Sequence, residues 1–129
     1  MAFGLKEMIQ EARTSVEEVS VQDAHEGLQS GAVHMLIDVR EPFEWDKGHI
    51  ADAVNVPRGL LELRADPESP VTSPELSGDK DARLIVYCTK APSARSMLAA
   101  QTLGRMGYSN VAALRGGLEE WKAAGLPAE

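Results

Sequence analysis

Leu84-Ile85-Val86-Tyr87-Cys88-Thr89-Lys90-Ala91-Pro92-Ser93-Ala94-Arg95 is the stretch on which the reading of this chain turns. Leu84 to Tyr87 is an unbroken apolar run, the pattern of a strand buried on both faces of a parallel sheet. The run delivers Cys88 to its C-terminal end. Thr89 to Ser93 forms a loop, and Met97, Leu98, Gln101, Leu103 and Met106 then recur at helical spacing from about residue 93 to 106, with Gly107 as the stop. In an open parallel sheet, ligands bind outside the carboxyl ends of the strands, where a strand-loop-helix unit turns backbone N–H groups toward the loop. A thiol at the first loop position feels the positive end of that helix together with Lys90 and Arg95, so its thiolate, the attacking form, is favoured. A small hydrophobe closing a buried strand is the other reading of Cys88, and position alone leaves both open.

Working outward, Val33 to Val39 holds Met35, Leu36 and Ile37, a second buried strand whose C-terminal end carries Asp38 and Arg40. Glu41 to Lys47, with Pro42 at the first helical position and Phe43 expected to pack inward, reads as one or two helical turns ending at Gly48. Ala53 to Val56 is a short strand stopped by Pro57. Gly59 to Arg64 gives a further turn or two of helix, and Asp66 to Asp81, with three prolines and three serines, is expected to be the flexible loop. Val16 to Val21 reads as a strand, and Ser20 to Asp23 caps a helix holding Ala24 and Leu28 that closes at Gly31. Val111 to Leu114 is the last strand, and Gly116-Gly117 turns the chain into a helix with Leu118, Trp121 and Ala124. Phe3, Leu5, Met8, Ile9 and Ala12 mark a short amphipathic helix at the start. Alternating strands and helices define an α/β domain with a central, mostly parallel sheet flanked by helices in three layers. Residues 1–15 are an N-terminal helical extension and 16–127 the domain proper.

The 129 residues fit one domain, large enough to bury its own core. With 13 Lys and Arg against 20 Asp and Glu, the formal charge is -7, and no basic run offers the stripe that nucleic acid or an anionic membrane needs. The single cysteine forms no intramolecular disulfide and builds no zinc cluster, which points to a reduced compartment. No apolar run approaches the roughly 20 residues of a membrane span, and Lys6, Glu7, Glu11 and Arg13 interrupt any signal-peptide core. The expectation is a soluble, cytoplasmic protein without metal or cofactor.

Several separated segments together resemble the rhodanese homology domain, the single-domain thiosulfate sulfurtransferase family, over about residues 16 to 127. They are Leu36-Ile37-Asp38-Val39-Arg40-Glu41, Glu44, Gly48-His49-Ile50 through Ala53, Asn55-Val56-Pro57, Val86-Tyr87-Cys88, Arg95-Ser96, Gly107-Tyr108 with Val111, and Leu114 through Gly116-Gly117 to Trp121. The resemblance implies a persulfide mechanism. Cys88 would take a sulfane sulfur from thiosulfate or a similar donor, and cyanide or a thiol would then remove it. Loop N–H groups and nearby cations would stabilise the anion. Arg95 is the matching cation after the loop, and Lys90 and Arg58 are candidates to hold the donor's sulfonate. Thr89 and Ser93 are loop-stabilising or substrate-binding candidates. Asp38 and Arg40 either orient the loop or form a structural ion pair, with structure favoured. The resemblance makes His49 a turn and packing residue, while His25 and His34 stand isolated and Trp45 and Trp121 read as packing anchors.

One departure has physical content. The family loop places four residues between cysteine and arginine, with a glycine among them; here six separate Cys88 from Arg95, and Ala91-Pro92 stands where glycine is usual. Pro92 lacks an N–H, and alanine tolerates positive φ far less well than glycine, so the cradle is expected to lose a donor and change shape. This loop raises two other readings: a binding or sulfur-relay module of the same fold, and a cysteine-dependent phosphatase or arsenate reductase. The phosphatase pattern needs five intervening residues and an aspartic acid donor in a mobile loop, for which the sequence offers no clear residue beyond candidates such as Asp66.

Overall fold

A computed structural model describes residues 2–129. Five parallel strands, β1 (Glu17–Val19), β2 (Met35–Asp38), β3 (Val54–Asn55), β4 (Leu84–Tyr87) and β5 (Val111–Leu114), form one sheet in the order β1-β5-β4-β2-β3. β4 is the middle strand, paired with β5 on one side and β2 on the other. Its four residues are buried, as the continuous apolar run requires. Side chains alternate along it: Leu84, Val86 and Cys88 enter one core cluster, and Ile85 and Tyr87 the other.

Helices cover both faces. α1 (Leu5–Arg13), α4 (Leu61–Ala65), α5 (Pro74–Ser77) and α6 (Ala94–Arg105) lie on the Cys88 side, where Ala12, Leu61, Leu76, Met97 and Leu103 are buried against Ile37, Val86 and Ala113. α2 (Val21–Ser30) and α7 (Gly117–Ala123) cover the other face, burying Val21, Ala24, Leu118 and Trp121 against Leu36, Ile85 and Leu114. Each large aliphatic side chain taken fully from water contributes roughly 1.5–3 kcal/mol, so these two layers are the main stabilising term. Local signals set the boundaries. The Ser20 hydroxyl accepts from Asp23 N at 3.0 Å at the start of α2, and Gly31 ends it in the left-handed region at φ 82°. In α3 (Pro42–Asp46), Pro42 occupies the first turn and the Glu41 N–H donates to the Glu44 carboxylate at 3.1 Å.

Two expectations about elements change. Phe43 does not pack inward: it is 63% exposed, because α3 turns Glu44 and not Phe43 toward the neighbouring loop. The segment 66–81 is not a featureless loop either. Ser73 and Pro74 start α5, and Leu76 and Ser77 are buried, with the Ser77 hydroxyl donating to Ser73 O and paired with Thr72 Oγ1 at 2.8 Å. Short helices this rich in turn-forming residues leave little periodic signal. α1 packs on α6, with Ala12 in the core cluster of that face and Ile9 buried, and leaves Leu5 exposed, as is Phe3 before it; Met1, counted in the expected extension, lies outside the described residues.

Candidate active site

Cys88 follows the last residue of β4 and is 3% exposed. A pocket of about 340 Å³ opens over it, lined by Cys88, Thr89, Lys90, Ala91, Pro92, Ala94 and Arg95. The loop returns into α6 through Ser93, which is buried and adopts the left-handed conformation at φ 63°, ψ 38°. Positive φ in this loop therefore falls at Ser93, and Ala91, near where glycine is usual, escapes it. Pro92 contributes no donor, and the Ser93 N–H is spent on Lys90 O at 2.9 Å. The first turn of α6 carries no side-chain cap, which leaves the N–H groups of Ala94, Arg95 and Ser96 without an intrahelical acceptor. Ser96 belongs to that turn, and its buried hydroxyl sits 3.5 Å from Cys88 Sγ, so the positive end of α6 stands beside the sulfur.

The hydroxyl of Ser96 donates to Ser93 O at 3.1 Å. With its hydrogen committed there, Ser96 Oγ is free to accept from the Cys88 S–H; once the sulfur is an anion, the same hydroxyl can turn and donate to it. A second support comes from α7. Leu118 N donates to Cys88 O at 3.0 Å and Glu119 N to Thr89 O at 2.8 Å, so this helix start grips the carbonyl side of the loop. The approach is so close that a Cβ on Gly117, at φ 57°, would lie 2.4 Å from Cys88 O.

Arg95 is held by a carboxylate. Its Nη1 donates to Glu44 Oε1 at 2.6 Å and its Nη2 to Glu44 Oε2 at 3.1 Å, and Nη2 also reaches Thr89 Oγ1 at 3.1 Å. This bidentate pairing ties α3 to the cysteine loop. The Arg95 guanidinium holds the Glu44 carboxyl down at about 2, and Glu44 in turn pushes the Arg95 pKa up. Glu44 was legible only as a motif position; its signal is the helix start Glu41-Pro42-Phe43-Glu44, which fixes a carboxylate at the end of β2, beside β4. Ser96 likewise follows Arg95 in the motif with no role that the sequence alone assigns.

The other candidates divide. Thr89, Lys90, Ser93 and Arg95 come together around Cys88. Lys90 is exposed at the pocket wall and makes no ion pair among the described residues. Arg58 lies outside the pocket lining; its guanidinium pairs with Glu62 at 2.9 Å and Thr102 Oγ1 at 3.1 Å, tying the turn before α4 to α6. Asp38 and Arg40 form an almost fully buried ion pair at 2.7 Å, and Arg40 Nη2 also donates to Gly48 O at 2.7 Å. They tie β2 to the turn before Ile50 and do not line the pocket. Tyr87 joins this group: its hydroxyl accepts from Ile50 N at 3.1 Å, and burial, with Asp38 nearby, pushes its pKa far up. His49 stacks on Trp45 with ring centroids 3.4 Å apart and pairs with Glu129, away from Cys88. Asp66 accepts from Glu68 N and is likewise absent from the pocket lining. Among the described residues no group of three or more His, Cys, Asp or Glu side chains could hold a metal, and no helix is long and apolar enough to cross a membrane.

The model of the rhodanese-like domain matches residues 20–124, and the chain belongs to that family. It is 32% identical over 112 residues to a sulfurtransferase of Allochromatium vinosum, covering 87% of this chain and 94% of that one. To thiosulfate sulfurtransferase 16, chloroplastic, of Arabidopsis thaliana it is 34% identical over 123 residues, covering 93% and 98%. A solved structure of a Rhodopseudomonas palustris protein of unknown function, described as a possible tyrosine phosphatase, superposes with a TM-score of 0.90 at 36% identity, covering 100% of this chain and 96% of that one.

Proposed function

We propose that this protein is a sulfurtransferase that moves a sulfane sulfur through a persulfide on Cys88. The observation that carries the reading is the placement of the chain's single thiol at the floor of an open pocket, at the end of the central strand and against the uncapped first turn of α6. Membership in the rhodanese-like family and the sulfurtransferase names of the relatives support it.

In the first step the Cys88 thiolate attacks the outer sulfur of a donor such as thiosulfate. A new S–S bond forms, the donor's own S–S bond breaks, and its electron pair leaves with sulfite. The persulfide stays beside the α6 N–H groups, with Ser96 able to donate, so that the negative charge is met by preorganised donors. In the second step cyanide or a thiol attacks the outer sulfur, and the thiolate returns. Acceptors include small thiols and the cysteine of a sulfur-relay protein, a role supported by similarity to a putative sulfur carrier protein of Bacillus subtilis, 28% identical over 111 residues. The chemistry needs Cys88 reduced, in keeping with a reducing compartment such as the cytoplasm.

Steady-state sulfur transfer from thiosulfate to cyanide tests the reading. The expected pattern is ping-pong, with parallel double-reciprocal lines, and no activity in Cys88→Ser. Hydrolysis of an aryl phosphate in place of sulfur transfer would move the assignment to a phosphatase. Against that chemistry stand the six intervening residues, an arginine already occupied by Glu44, and the lack of an aspartate in the pocket wall.

A further inference from the structure

We infer that a second pocket, at the end of the sheet opposite Cys88, is a binding site for a small organic amine with an apolar body. The strand lengths explain why the pocket exists. β3 pairs with β2 only at Ile37 and Asp38, so the amino half of β2, from Met35, has no strand on its outer edge. α2 covers one face of that open edge and α5 the other, and between them lies a cavity of about 780 Å³, reaching His34 before β2 and Asp52 before β3. Its volume falls within the roughly 300–1,000 Å³ of small-molecule sites. It shares no lining residue with the pocket over Cys88.

The lining selects the chemistry of the ligand. Leu28, Val33, Met35 and Val54 make the inner wall apolar, and buried Trp121 closes it with its indole N–H already donated to Pro127 O at 2.9 Å. The rim is acidic. Asp52 stands before β3, Glu75 and Asp79 stand on the α5 side, and no Lys or Arg lines the cavity. All three residues are exposed, and none has a cationic partner among the described residues. Asp79 accepts from Asp81 N at 2.9 Å and keeps its charge unpaired. The other titratable groups of the lining are engaged with neighbours: His25 stands edge-on to Trp121 and meets Gln29 at 3.3 Å, and His34 Nε2 donates to Glu75 O at 3.4 Å. The mouth therefore carries a negative potential that draws in a cation. A bare metal ion does not suit it, because among the described residues no group of three or more His, Cys, Asp or Glu side chains could hold one. An ammonium on a carbon frame meets both features, its charge at the rim and its body on the apolar wall.

Amide chemical shifts of the full chain, followed through titrations with tryptamine, tryptophol and indolepropionate, compare a cation, a neutral alcohol and an anion on one carbon frame. Tryptamine should move the signals of residues 25–36, 51–54 and 74–79 and leave those of 88–95 in place. It should bind about tenfold more tightly than tryptophol, the sum of three exposed charges that each contribute a few-fold, and indolepropionate should bind least. The triple variant Asp52→Asn, Glu75→Gln, Asp79→Asn removes the rim charge at exposed positions that do not threaten folding, and asparagine tolerates the φ of 66° found at residue 52. It should bring tryptamine down to the affinity of tryptophol and leave tryptophol unchanged. Equal affinity for the three probes, no saturable shift with tryptamine, shifts confined to residues 88–95, or a preference for tryptamine that survives the triple variant would each overturn the inference.

Discussion

Ser96 shows how much of this site rests on a single hydroxyl. Its oxygen lies between Cys88 Sγ and Ser93 O, accepting from the thiol or donating to the sulfur anion as the charge changes. A hydrogen bond to a charged partner contributes about 1.5–3 kcal/mol, so Ser96→Ala should slow persulfide formation by about tenfold or more with little loss of stability. Single-turnover loading beside a thermal melt checks this; an unchanged loading rate would make Ser96 only a loop brace. Cys88 and Arg95 were legible as candidate site residues because a lone thiol after a buried strand and a cation after its loop are visible in one dimension. Glu44 and Ser96 were visible only as motif letters, since nothing local to α3 says which way its carboxylate turns. Arg58 stands outside the pocket lining, and the sequence could not show it: its proximity to the end of a strand is readable, but its pairing with Glu62 and Thr102 is a tertiary fact.

At the scale of elements, the cysteine loop is held between two helix starts and one helix side. α6 presents its uncapped turn, α7 grips the carbonyls of Cys88 and Thr89, and α3 supplies Glu44. Gly117→Ala places a methyl group within 2.4 Å of Cys88 O at a backbone conformation that side chains resist. It should cost about 1–3 kcal/mol in urea unfolding and lower sulfur transfer, and neutral behaviour in both would show that the α7 grip does not position the loop. The Glu44–Arg95 tie has a definite pH dependence. The folded-state pKa of Glu44, about 2, lies below its ordinary 4.5, so the stabilisation is full above about pH 5 and fades as pH falls toward 2. The stability gap between wild type and Glu44→Gln should therefore be widest near neutrality, narrow from about pH 5 downward and close only as pH approaches about 2 in urea titrations. A gap that is flat from pH 7 to 3 would mean the pair contributes nothing to folding. The strands were readable because buried apolar runs are long and continuous; α5 was not, because four residues opened by Ser73-Pro74 look like any turn.

Across the whole molecule, the sheet order puts β4 in the centre, where a parallel arrangement directs its C-terminal loop to one exposed face. The α1 helix packs on α6, the helix whose first turn faces Cys88, and sends Ala12 into the core cluster of that face. Removing residues 1–13 should lower the unfolding free energy by about 2–4 kcal/mol from lost burial, measured in urea; an unchanged value would show that α1 rides on the domain without stabilising it. The three-layer α/β design was readable from the alternation of strand and helix patterns, and the depth to which α1 enters the core was not, since Ala12 carries no signal of its own burial.

The central claim is that Cys88 carries a transferable sulfur, and intact mass measures it directly. After exposure to a sulfane sulfur donor the wild-type chain should gain one sulfur atom, lose it to cyanide, and show no gain when Cys88→Ser is treated alike. No gain from either a thiosulfate or a hydropersulfide donor, or a gain that persists in Cys88→Ser, would contradict it.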